Sequence, residues 1–138
     1  MATTFTPSAA VLALMAEASL NAEVDSLDVG AGTAGIQCYE GALLVVTFAL
    51  PNPAYGAASA ANPSVAALNG TPIAAVAAAS TVGAGMSTCV FVDRDGTTRG
   101  TGSVGLTGSS SLVEIDNVIV AAGQTITLTA CPLTLTAT

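Results

Sequence analysis

Six residues near the C-terminus constrain the fold more than any other stretch. Thr125, Thr127 and Thr129 alternate with Ile126, Leu128 and Ala130, a period of two that puts hydroxyls on one side of an extended chain and apolar groups on the other. Such a strand is buried on one face only, which is the pattern of antiparallel sheets rather than of parallel sheets covered on both sides. Similar short signals precede it. Gln37 to Glu40 and Leu43 to Leu50 read as strands joined by a Glu40-Gly41 turn, and Pro51-Asn52-Pro53 ends the second. Met86 to Val92 and Thr97 to Val104 flank Asp93-Arg94-Asp95-Gly96, a hairpin turn. Leu112 to Ile115 and Ile119-Val120 read as short strands, and the final strand is expected to run from Thr125 to Leu135. Between these lie an Ala-, Ser- and Pro-rich loop at Ala54 to Asn69 with room for one short strand, the turn Asn69-Gly70-Thr71-Pro72, and a Gly/Ser loop at Gly105 to Ser111. Ile73 to Ser80 stays undecided between helix and strand. The whole predicts a mainly β chain, an antiparallel β-sandwich or jelly-roll-like single domain.

One helix precedes the strands. Thr6 is a candidate N-cap with Pro7 at the first helical position, and Val11, Met15, Ala18 and Ala22 recur at three- and four-residue spacing as an apolar stripe. Glu23, Asp25 and Asp28 oppose the dipole at a helix C-terminus, so the helix is expected to span about residues 6–21. Residues 1–5 form an N-terminal arm, and residues 6–138 form one domain with its sandwich over about 36–137.

Composition narrows the function. Charged residues make up 8% of the chain, against about a quarter in a typical soluble domain, and such a surface is expected to be covered by other protein. The net charge is −7, with two basic residues, Arg94 and Arg99. Phosphate neutralisation needs several Lys or Arg on one face, so nucleic acid is not an expected partner. A polybasic membrane patch is excluded on the same ground. The longest strongly apolar run, Gly41 to Leu50, is half of the roughly 20 residues a spanning helix needs. No Lys or Arg precedes the apolar stretch Ala9 to Ala16 and Glu17 follows it, so no targeting segment is read and folding in the cytoplasm is expected.

The side-chain inventory argues against an enzyme. Without His there is no Ser-His-Asp or Cys-His arrangement, and without Lys no Schiff base. Cys38, Cys89 and Cys131 are widely spaced and form no metal-ligand pattern; they read as buried small hydrophobes, with a disulfide as the alternative. No cofactor is expected. Gly30-Ala31-Gly32-Thr33-Ala34-Gly35 matches G-x-G-x-x-G but has a helix before it and a strand after it, the reverse of a dinucleotide site. It reads as a flexible turn. Asp93 to Thr97 resembles the start of a calcium loop, but positions 102 and 103 are Gly and Ser where an acidic ligand is required, so the hairpin reading is preferred.

Three blocks taken together carry a resemblance: Gly41 to Gly56 (GALLVVTFALPNPAYG), Val90 to Thr98 (VFVDRDGTT) and Leu112 to Thr127 (LVEIDNVIVAAGQTIT). Their order and spacing after an N-terminal helix resemble small virion structural proteins of tailed bacteriophages, over about residues 7–137. The family has no catalytic motif. The resemblance implies a capsid decoration or cement protein on the outer head surface, made in the host cytoplasm, with the major capsid protein as partner. A tail or baseplate component, or a displayed carbohydrate-binding module, is the alternative. The cysteines and the Ala-rich middle depart from the pattern. Self-association as a symmetric homo-oligomer is expected from the charge-poor surface, and the resemblance implies a trimer by preference, since a capsid lattice offers repeated local three-fold positions. The arm residues Ala2, Thr3, Thr4, Phe5 and Thr6 are the candidate assembly contacts.

Overall fold

A computed structural model describes residues 4–138. Helix α1 spans Ala9–Ser26, capped by the Ser8 hydroxyl, which accepts from the Val11 N–H at 3.3 Å. It therefore starts three residues later than expected from Thr6 and runs five residues past Asn21. The acidic last turn does not stop it, because Leu20, Val24 and the C-cap Leu27 are buried. Burying Val24 and Leu27 is worth roughly 1.5–3 kcal/mol each, whereas unfavourable charge–dipole contacts at an exposed terminus cost about 0.3–1 kcal/mol.

Nine strands follow: β1 Gly35–Glu40, β2 Leu43–Ala49, β3 Ser64–Ala66, β4 Ile73–Val76, β5 Thr88–Val92, β6 Thr98–Leu106, β7 Val113–Ile115, β8 Thr125–Ala130 and β9 Leu133–Leu135. Seven form one sheet in the order β2-β1-β5-β6-β7-β8-β4, antiparallel except for the β6–β7 pair. The sheet curls until its two edge strands come together, and just beyond β4 the Ala78 N–H donates to the Val45 carbonyl of β2 at 2.8 Å. Strands β3 and β9 make a separate antiparallel ribbon, and α1 packs on both. The mainly β domain with a single N-terminal helix is thus as expected.

The core lies inside the curl. Ile36, Cys38, Val46, Phe48, Val113, Ile115, Ile126 and Leu128 are fully enclosed. In β8 the alternation behaves as read from sequence, with Ile126 and Leu128 inside and Thr125 exposed. Two strand readings change. The expected strand Thr125 to Leu135 breaks at Cys131-Pro132, and its end crosses to the ribbon as β9; Pro132 has no N–H with which to continue the ladder. Ile119-Val120 is not a strand. Its segment is held by isolated bonds, with the Val120 N–H donating to Thr81 Oγ1 at 2.9 Å and the Met86 N–H to the Val118 carbonyl at 2.9 Å. Ile73–Val76 resolves as strand despite two alanines, because β8 supplies a ladder partner for each residue.

Candidate assembly surface

The helix carries two apolar stripes. Ala16, Leu20, Val24 and Leu27 face the domain and are buried. Val11, Leu14 and Met15 are 37%, 61% and 44% exposed, and Ala18 and Ala22 are exposed beside them. At about 100° per residue these two sets lie on opposite sides of the helix. The stripe read from the sequence (Val11, Met15, Ala18, Ala22) faces solvent, and the stripe that packs on the domain is the other one. Both satisfy helical periodicity, so spacing alone did not separate them. Leu14 belongs to the outward stripe and was missed from the sequence, although it stands three residues after Val11.

Of the expected arm contacts, Thr4, Phe5 and Thr6 are exposed, Phe5 by 77%. Ala2 and Thr3 lie outside the described residues. From Thr4 to Ala16 there is no charged side chain; the nearest is the half-buried Glu17. Arm and outward stripe thus form a continuous uncharged segment on a chain of net charge −7.

The other residues singled out from the sequence serve the fold. Asp93 is 1% exposed. Its Oδ1 accepts from the Asp95 and Thr97 N–H groups at 2.9 Å each, and its Oδ2 takes two Arg99 guanidinium contacts at 2.8 Å. Burial alone would raise this carboxyl, but the Thr97 and Asp95 amides and the Arg99 cation outweigh it and hold it below its ordinary value. Both oxygens are committed to closing the hairpin between β5 and β6, which is the reading preferred over a calcium loop. Among the described residues no cluster of three or more Cys, Asp or Glu side chains is placed to hold a metal ion.

The Gly-rich segment is pinned rather than flexible. The Gly32 N–H donates to the Arg94 carbonyl at 2.9 Å, the Arg94 N–H to the Val29 carbonyl at 2.9 Å, and Arg94 Nε to the Gly30 carbonyl at 3.2 Å. A side chain at Gly32 would collide with the Arg94 carbonyl, and one at Gly30, where φ is +107°, with Asp95. Glycine is needed here for close approach of the hairpin turn, so the motif docks that turn.

Cys38 and Cys89 face each other across β1 and β5, and all three cysteines are buried and free. Burial, with the neighbouring thiols adding to it, pushes Cys38 far up; Cys89 is pushed to about 12 and Cys131, eased by its bond from Tyr55, to about 11. The Tyr55 hydroxyl donates to the Cys131 carbonyl at 2.8 Å and lies 3.2 Å from its Sγ. Thiols in this state are poor nucleophiles. A shallow groove of about 540 Å³ on the outer face of β1, β5 and β6 is lined by Tyr39, Thr88, Val90 and Thr101, with one aromatic ring and no charged group in its wall. No helix among the described residues is long and apolar enough to cross a membrane.

No protein-family model, no curated protein and no solved structure matches this chain.

Proposed function

We propose that this chain is a structural component of a tailed-phage particle, a capsid decoration protein that docks on the outer head surface and stabilises the lattice. What supports the reading is the run of three blocks, Gly41 to Gly56, Val90 to Thr98 and Leu112 to Thr127, whose order and spacing resemble those of small virion proteins. The structure gives these blocks structural work. The first supplies β2 and the buried Tyr55, the second the Asp93 hairpin, and the third β7, the 116–122 segment and the start of β8.

Two physical features support an assembly role over catalysis. Several ionisable groups are spent inside the fold: Asp93 on its turn, Tyr55 and the thiols in the core. Glu40 likewise accepts from the backbone N–H groups of Val82, Gly83 and Gly85 at 2.7, 3.1 and 2.8 Å. The uncharged arm and outward stripe, by contrast, offer apolar area without a desolvation cost for charges. The arm would meet the shell, and copies would associate symmetrically so that weak contacts act together.

The test is stoichiometry. Purified particles analysed by quantitative mass spectrometry should contain hundreds of copies, and the chain should bind undecorated heads. Tens of copies confined to tail fractions would move the reading to a tail or baseplate part. Absence from particles would overturn it. Deleting Ala2 to Thr6 should leave the fold intact and weaken binding to heads.

A further inference from the structure

We infer that the outward face of α1 is a contact between two copies of this chain, with the helices antiparallel about a two-fold axis. The inference rests on the self-association half of the proposed function and is independent of capsid docking. A helix that is apolar on both sides is normally covered on both sides. One side of α1 is covered by the β3–β9 ribbon; the other, Val11, Leu14, Met15, Ala18 and Ala22, is bare. Leu14 and Met15 are 61% and 44% exposed, and with Val11 and the exposed alanines they make one contiguous apolar strip along this side of the helix. A stable contact takes roughly 800 Å² per partner, so a dimer on this face buries the polar flanks of the helix together with the stripe. The alanines let two backbones approach closely while Leu14 and Met15 interdigitate.

Charge selects both the occupant and its direction. The stripe itself is uncharged, so a second copy brings no repulsion to it despite a net charge of −7. Beyond Ala22 the next outward residue is Asp25, exposed at the C-terminal end. An antiparallel register that pairs Val11 with Ala22 also pairs Met15 with Ala18 and sets Asp25 across from Ser8, at the partner's helix N-terminus. There the free N–H groups and the positive end of the dipole favour a carboxylate. A parallel pair, or three helices around a three-fold axis, would instead gather the Asp25 carboxylates together.

The whole chain should sediment as a dimer at micromolar concentration. Leu14→Glu and Met15→Glu should each raise the dimer dissociation constant by at least about tenfold, and thermal melts should show the monomer still folded, since both side chains lie outside the core. Val82→Glu, at a site 89% exposed elsewhere on the surface, should leave the dimer unchanged. To read direction, V11C and A22C chains are mixed and mildly oxidised. Disulfide-linked V11C–A22C pairs support the antiparallel contact, whereas V11C–V11C pairs overturn it. A monomer at all concentrations, a trimer, or a dimer indifferent to Leu14→Glu would overturn the inference. If the Leu14→Glu monomer still decorates heads, the virion reading stands without this contact; if the dimer forms and never binds heads, this contact stands without the virion reading.

Discussion

The two faces of α1 are built from the same few side-chain types and have opposite fates. Leu20 on the inward face is 2% exposed, while Leu14, six residues earlier, is 61% exposed. Hydrophobicity does not distinguish them; the side of the helix each one occupies does. The β3–β9 ribbon packs on the inward side, and Asn21 and Asp28 anchor the loop of residues 54–58 through the Ala58 and Ala54 N–H groups at 2.9 and 3.0 Å. An apolar period in sequence therefore says that a helix has something to bury, and only the tertiary partner decides which stripe is buried at home.

Four measurements bear on this contrast, the largest effect first. Leu20→Ala should cost about 2–5 kcal/mol in chemical denaturation, through lost burial and the cavity left against the ribbon. Acid comes next. The folded-state pKa values of Asp93 and Glu40 lie below their ordinary 3.8 and 4.5, so their contribution is fully present above about pH 4.5 and is lost as the pH falls through the depressed values. Urea midpoints should hold from pH 7 to 5 and drop steeply by pH 3; a flat profile would mean that neither carboxylate clamp supports the core on which the inward stripe rests. Ser8→Ala should cost about 1 kcal/mol by removing the N-cap, seen as fraying of the first helical turn. Leu14→Ala should change monomer stability by no more than about 0.5 kcal/mol. If Leu14→Ala and Leu20→Ala proved equally costly to the monomer, the distinction between the faces would fail.

Local patterns were legible in the sequence where a single residue's chemistry decided the geometry. The alternation in β8, the Asp93 hairpin with Gly96 at φ +84°, and the strands of residues 37–50 all follow from steric and hydrogen-bonding rules that act within a few residues. What sequence did not reveal depended on partners distant along the chain. The helix passed its acidic end because Val24 and Leu27 found a core. Gly30 and Gly32 were mistaken for a flexible turn because Arg94, the residue they dock, lies some sixty positions away. Only the outward stripe of α1 was read as apolar; Leu20, Val24 and Leu27, at the same three- and four-residue spacing on the opposite side, would have shown apolar residues on both sides, the one signal available for an unpartnered face.

The closure between Ala78 and Val45 has a consequence for how such a chain stays in solution. An open sheet presents unpaired N–H and C=O groups along its edges, and proteins commonly guard those edges with lysines. This protein has no Lys and few charges of any kind. By bringing β2 and β4 together it denies an incoming strand a template, and the bulge between Cys38 and Tyr39 further interrupts the ladder beside it. Strand addition, the route to open-ended fibres, is thereby disfavoured at this seam. What α1 offers instead is a side-chain surface that one partner can fill and, once filled, can be offered to no other.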